Sequence, residues 1–565
     1  RAGQKIVTMA EKGKESEPGS GLGMSLGSAA LLGTLGAIAM APSPLLLRSL
    51  LAAGVITAYQ SLPMLRALWH YRSVPGPTPL PIVGNLLTLM ANGNIHEVYE
   101  GWTKRYGRTF KWFMGSNVVV VTSDIDQVRE IGLRRFSNFM NHMPVPTKMA
   151  PLLPDELATM GKYSMDVSRD MYWKGLRSTA NSIFHNVQVL SSFCPLMKET
   201  ASELRARLAK VPEGEPLDIW RALGDMTLDV VGTCVFGVRF DCIQSKGTDA
   251  VKAARTIFRV NIASPTWNPY LSVGILLPPF LIPAVSSLGR RFPTKAMRDV
   301  EWSMNVLARL SEAMVDDATK QNLGGDGKGG GERNNNFLKL FINAHNRESG
   351  DLLSKDEVKA QALLYLLAGY ETTANTLAYS VYLLSKNKDK ERLLLEEIDR
   401  LGKQHGSDPS SADLKSYTFV EGVVKEALRL YGPIPFTDRQ AAERMALKGG
   451  LTVLPEQIVH ISMRDIHRNA SYWPDPLQFL PERFVKGSDI YEDQNHHAFL
   501  AWGLGPRMCV AADFALMEAK LALINLYAKF TFEYTDEKPF KLTFGASLGP
   551  EHGVEVYVHK RQKEE

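Results

Sequence analysis

Phe499-Leu500-Ala501-Trp502-Gly503-Leu504-Gly505-Pro506-Arg507-Met508-Cys509-Val510-Ala511 reads as a cysteine loop that feeds a helix. Gly503 and Gly505 carry no side chain, so a flat ligand can come close to the backbone there. Pro506 stiffens the turn. The apolar run from Ala511 to Phe530 is rich in helix formers, which puts Cys509 at or just before a helix N-terminus. Free N–H groups and the positive end of the helix dipole favour a thiolate at that place. Arg507 adds positive charge two residues earlier. A lone cysteine at a helix start is ordinarily a small buried hydrophobe. Two glycines, a proline and an arginine at this spacing argue against that plain reading.

The surrounding chain is long enough for a large core. It has 565 residues, 45% of them apolar and 22% charged, the balance of a globular protein. The net charge of +5 is spread out, with no basic stripe interleaved with aromatics, so no nucleic-acid partner is expected. Cys194, Cys234, Cys242 and Cys509 form no C-x-x-C and no C-x-x-C-H. That excludes a zinc ribbon, a thioredoxin site and covalently attached haem, and it fits a reducing compartment.

Outward from the loop, residues 1–18 are polar and read as disordered, with Met9 the expected translation start. Residues 19–47 carry no charge, and a second apolar run follows Arg48 to Leu65. About 20 apolar residues cross a bilayer as a helix, so 19–70 reads as a membrane anchor. Arg66, His70 and Arg72 follow it, which places the bulk of the chain in the cytosol. Residues 71–82 form a proline-rich hinge around Val74-Pro75-Gly76-Pro77, and 83–565 the catalytic domain. Residues 108–112 and 118–122 flank Met114-Gly115-Ser116-Asn117 and read as a hairpin. Residues 138–166 read as a loop and 322–336 as a flexible Gly/Asn surface loop. The proline-broken apolar stretch 276–288 is either core or a segment that dips into a membrane. Ser354 and Glu357 have capping-box spacing at the head of a long helix to about Ser385. Gly369 beside Thr372 and Thr373 makes a locally weak spot inside it. Trp173 and Arg177 share a helix face, as do Glu426 and Arg429. Residues 531–534 and 554–558 read as closing strands.

The loop around Cys509 resembles that of the cytochrome P450 family, the haem-thiolate monooxygenases, which usually reads Phe-Gly-x-Gly-x-Arg-x-Cys-x-Gly. Trp502 stands for the Phe and Ala511 for the last Gly, which implies altered packing around the haem rather than its loss. The resemblance covers residues 75–560 and implies a mainly α fold with a smaller β portion, one haem domain behind an N-terminal membrane anchor. It implies that Cys509 is the proximal ligand of haem b, iron protoporphyrin IX. Gly503 and Gly505 would face the cofactor, and Trp173, Arg177, Arg439 and Arg507 would hold its propionates. Glu371 and Thr372, in Ala368-Gly369-Tyr370-Glu371-Thr372-Thr373, match the family's acid and alcohol that handle protons. Glu426 and Arg429 match its structural Glu-x-x-Arg, locked to Arg483 of Pro481-Glu482-Arg483-Phe484.

The reaction this implies is insertion of one oxygen atom from O2 into a lipophilic small molecule. Leu366, Ala368, Pro435, Phe436, Leu548 and the 138–166 loop are the expected substrate contacts. No G-x-G-x-x-G follows a strand. NADPH therefore serves indirectly, through NADPH-cytochrome P450 reductase, with cytochrome b5 a further candidate partner. The expected location is the endoplasmic reticulum membrane, a plastid membrane being the alternative. Two other readings stay open. Ala368-Gly369-Tyr370-Glu371 and Ala546-Ser547-Leu548-Gly549-Pro550 also resemble thromboxane synthase, a haem-thiolate isomerase that acts on a lipid peroxide without a reductase. A catalytically silent haem-binding membrane protein is the other.

Overall fold

A computed structural model of the chain describes residues 34, 37–38, 44–144, 151–244, 248–260, 267–277, 281–323, 337–342, 353–406 and 409–561. The 1–18 segment and most of the uncharged stretch 19–47 lie outside the described residues. So do 145–150 of the expected loop, 278–280 of the apolar stretch and 324–336 of the Gly/Asn loop.

The chain divides into two compact units, Arg1–His70 and Tyr71–Glu565. The first contains helix α1, Leu45–His70, with Pro63 inside it. Among the described residues no helix is long and apolar enough to cross a membrane. Helix α1 carries Arg48, Gln60, Ser61 and Arg66 among its apolar residues.

Helices dominate the second unit. Its framework is α2 (Asp170–Phe184), α3 (Val187–Leu208), α4 (Ile219–Val231), α5 (Lys355–Lys386), α6 (Thr418–Tyr431) and α7 (Ala512–Tyr527). Helix α5 begins where the sequence signals it. Ser354 Oγ accepts from the Glu357 N–H, and Glu357 Oε2 accepts from the Ser354 N–H at 2.7 Å. It runs unbroken for 32 residues and is apolar on most sides, as expected of a helix with neighbours all round. The helix continues through Gly369. A Cβ there would lie 2.7 Å from Val231 Cγ2, so the glycine lets α4 come close. One turn away, Thr227 of α4 donates to the Tyr370 carbonyl at 2.9 Å.

Strands β1 (Thr109–Met114) and β2 (Asn117–Thr122) form the expected hairpin, with Met114 opposite Asn117. With β3 (Thr437–Gln440) and β4 (Ile458–Ile461) they make a sheet of order β1-β2-β4-β3. β2 and β4 run parallel, and β3 and β4 antiparallel. Near the C-terminus β5 (Phe530–Tyr534) pairs with β8 (Glu555–Lys560), and β6 (Leu542–Phe544) with β7 (Leu548–Pro550). The stretch expected to be all loop carries a helix, Asp155–Tyr163. Asp155 and Glu156 sit in its first turn, where negative charge meets the positive end of the dipole.

A buried ion pair ties α6 to the segment that precedes the cysteine loop. Glu426 accepts from Arg429 Nε and Nη2 at 2.6 and 2.7 Å and from Arg483 Nε at 3.3 Å. Arg429 also donates to the carbonyls of His467 and Pro476. These groups are out of contact with water, so their many mutual bonds replace hydration.

Candidate active site

The cysteine loop is shaped by its backbone. Gly503 and Gly505 have φ of 81° and 70°, in the left-handed region where a side chain is strained. Gly505–Arg507 forms a single 3-10 turn, and the Cys509 N–H donates to the Trp502 carbonyl at 2.7 Å, closing the loop just before α7. The two glycines differ in what they admit. A Cβ on Gly505 would lie 1.9 Å from the Gly132 carbonyl oxygen, so this glycine makes room for protein rather than for a flat ligand. A Cβ on Gly503 would meet nothing closer than 3.4 Å.

Cys509 exposes surface, yet burial pushes its thiol up against the pull of the Ala511 N–H and of Arg177. The helix start and neighbouring cations were expected to favour the thiolate; without a metal ion the desolvation outweighs them. A cation bound at sulfur reverses that balance, because a coordinating thiol loses its proton outright.

Three guanidinium groups gather near the loop. Arg177 of α2 donates to the Met508 carbonyl at 2.5 Å and to Asn181 Oδ1 at 2.9 Å. Arg439 of β3 donates to Thr437 Oγ1 and to its neighbour's carbonyl, and its Nε is buried with no partner among the described residues. Arg507 lies over the Trp173 ring and donates to the carbonyls of Met140, Met165, Asp166 and Ser168. Burial pulls Arg439 down to about 10, and burial followed by repulsion from Arg439 and Arg177 brings Arg507 down to about 9. An excess of crowded cations with an orphaned buried N–H suits an anionic group. The residues present thus fit a haem: Cys509 as its ligand, Gly503 as the open backbone, and Arg177 and Arg439 beside its carboxylates.

Glu371 and Thr372 sit on α5 but make different contacts. Thr372 Oγ1 donates to the Ala368 carbonyl at 2.6 Å. Thr372 is only partly buried, between buried Glu371 and Thr373, and Ala368, one turn earlier, is exposed. Glu371 is 5% exposed, and its Oε2 has no partner among the described residues. Burial pushes its carboxyl up to about 8, against the pull of Asn375 and Ser547. At neutral pH the group is therefore mostly protonated. Asn375 donates to Ser547 Oγ and the Leu548 carbonyl, both at 3.0 Å, and accepts from Trp220 Nε1 at 2.6 Å. Sequence reasoning missed Asn375. Its place four residues after Glu371, one turn along the same face, was the available signal. Leu366 and Leu548, expected to touch substrate, are core residues at 1% and 0% exposure.

A mainly helical domain that holds a cysteine loop against the start of a helix defines the structural class. The sequence pattern of the family described as Cytochrome P450 matches residues 74–555. The chain therefore belongs to the cytochrome P450 family, and membership implies a haem cofactor and haem-thiolate chemistry. It is similar to Thromboxane-A synthase of Sus scrofa, 28% identical over 523 residues, covering 86% of this chain and 91% of that protein. It is also similar to Cytochrome P450 3A6 of Oryctolagus cuniculus, 29% identical over 525 residues, covering 91% and 96%. Cytochrome P450 3A41 of Mus musculus is 28% identical over 528 residues with the same coverage.

Proposed function

We propose that the protein is a monooxygenase that inserts one oxygen atom from O2 into a lipophilic small molecule. Electrons come from NADPH-cytochrome P450 reductase, with cytochrome b5 as an auxiliary donor. In this reading residues 19–70 anchor the chain in the endoplasmic reticulum membrane and 71–82 are the hinge. Residues 83–565 act on the cytosolic side. Bound haem supplies dioxygen activation at an iron held by the Cys509 thiolate. Arg177, Arg439, Arg507 and Trp173 orient it through the propionates.

The observation that carries the reading is the acid beside the alcohol. Glu371 is mostly protonated at neutral pH, and Thr372 carries a partly buried hydroxyl at the next position of α5. A carboxylic acid poised near the working pH is a good proton source. A buried carboxyl with an unbonded oxygen is costly to the fold, so stability alone does not explain its presence.

One observation favours a second reading. The Thr372 hydroxyl is bonded back to Ala368 within an unbroken helix, so it delivers a proton only after rotating out of that bond. An isomerase of the thromboxane-synthase type needs no such delivery, and a protein of that name is among the similar sequences.

The test is product formed per NADPH with a reductase present, in the wild type and in Thr372→Val, once the reduced carbon monoxide complex shows a thiolate-type spectrum. A monooxygenase should lose product while still consuming NADPH, because general acid catalysis is worth about 10²–10⁴-fold. Unchanged yield, or turnover without a reductase, selects the isomerase.

A further inference from the structure

A cavity of about 410 Å³ opens between α4, the helix Asp249–Arg259, α5 and the β6–β7 turn. Its floor is buried: Tyr370, Glu371, Ala374 and Gly549 lie there. Its walls carry aromatic rings from Trp220, Phe258 and Phe544. The rim is exposed and carries the cations Arg221, Arg259 and Lys538.

The charges at the rim do not cancel. Arg221 pairs with Asp218 at 2.9 Å and Lys538 with Glu555 at 3.0 Å. Glu551, also on the rim, pairs with Lys541 at 3.0 Å. Arg255, set further in, pairs with Asp225, but Arg207 shares the same carboxylate at 2.8 Å. No carboxylate is bonded to Arg259 among the described residues; Arg221 and Arg255 are near enough to repel its charge, and Asp218, already paired with Arg221, is near enough to attract it. Glu371, on the floor, is mostly protonated at neutral pH and does not offset the excess. The cavity thus grades from a buried floor that carries the Tyr370 and Glu371 side chains, through aromatic walls, to a mouth with surplus positive charge.

We propose that this cavity is a binding site for a single-chain amphipathic carboxylate, its acid held by Arg259 with Arg221 at the mouth and its apolar body lying among Trp220, Phe258 and Phe544. The volume is at the small end of ligand sites, which run about 300–1,000 Å³. It suits one chain and excludes a two-chain phospholipid. Carboxylate and guanidinium match in shape as well as charge, so the mouth distinguishes an acid from an alcohol of equal length. Glu371, the acid proposed above as a proton source, lies on the cavity's floor, whereas the contacts proposed for the ligand's carboxylate, at Arg259 and Arg221, do not depend on which reaction occurs.

The experiment is calorimetric titration of the full-length, haem-loaded protein, in nanodiscs of zwitterionic lipid, with decanoate and with decanol. Decanoate should bind about tenfold more tightly or better, as a charge-assisted hydrogen bond in a partly desolvated site allows. Arg259→Gln should remove about that factor for decanoate and leave decanol unchanged. Arg259 makes no bond to another described residue, so the variant keeps the fold, and its thiolate-type carbon monoxide spectrum reports this independently. Arg221→Gln should weaken decanoate in the same direction. Equal affinity for acid and alcohol overturns the proposal. So does an acid preference that survives both substitutions. Neither result touches the monooxygenase reading, whose own test is the yield per NADPH.

Discussion

The Arg507 guanidinium sits over the indole of Trp173, with 4.0 Å from its Cζ to the ring centroid. The contact joins the cysteine loop to α2 across more than 300 residues of sequence. It combines a cation–π attraction with the packing of a ring that is 3% exposed.

Trp173→Phe keeps the apolar body and removes both the broader π face and the indole N–H. Haem retention should fall, read as a lower haem-to-protein ratio after gel filtration, while far-UV circular dichroism is unchanged. The stacking contributes about 0.5–2 kcal/mol. A drop in melting temperature with haem retention intact would show that the pair is structural only.

Arg439→Gln should have opposite effects on the two forms of the protein. Without haem it removes a buried cation that repels Arg507, so the apoprotein should melt no lower than wild type. With haem it removes a partner of a carboxylate. Transfer of haem to an excess of apomyoglobin should then be about tenfold faster. Equal transfer rates would remove Arg439 from the cofactor's binding groups.

Glu426→Ala should be severe. It leaves Arg429 and Arg483 buried without their shared carboxylate, a loss of about 3–5 kcal/mol. The expected outcome is little folded protein, with poor rescue by Glu426→Asp because the shorter side chain cannot reach both arginines. Wild-type yield and melting temperature for the Ala variant would mean that the carbonyls of His467 and Pro476 suffice.

Glu371 gives the stability a pH dependence of known sign. Its folded pKa, about 8, lies above its ordinary value of 4.5. Between these two values the folded state binds more protons than the unfolded state, so its contribution falls as pH rises. Below 4.5 both states are protonated and nothing is lost; above about 8 the whole penalty is felt. Glu371→Gln should therefore melt close to wild type at pH 5 and above it at pH 9. A constant difference across that range would show that Glu371 does not titrate.

What the sequence disclosed follows range of interaction. The cysteine loop, the capping box at Ser354 and Glu357 and the hairpin of β1 and β2 are set by residues a few positions apart, so each could be read locally. The partner of Gly505 could not, because Gly132 lies far back in the chain and offers only a backbone oxygen. Nor could the surroundings of Glu371, which depend on Ser547 some 170 residues later. The packing at Gly369 was out of reach for a related reason. A glycine in a helix looks like weakness in one dimension, but Val231 makes it a point of close contact in three.

The Glu426 cluster also has an order in time. During synthesis Arg429 follows Glu426 by 3 residues, but Arg483 follows it by 57. At about 5–20 residues per second that second partner arrives roughly 3–11 s later. Cys509 comes after Arg483 in the chain. The ribosome therefore delivers every charged member of the buried cluster before it delivers the cysteine, and the nascent chain can set its frame before the ligand that would anchor iron exists.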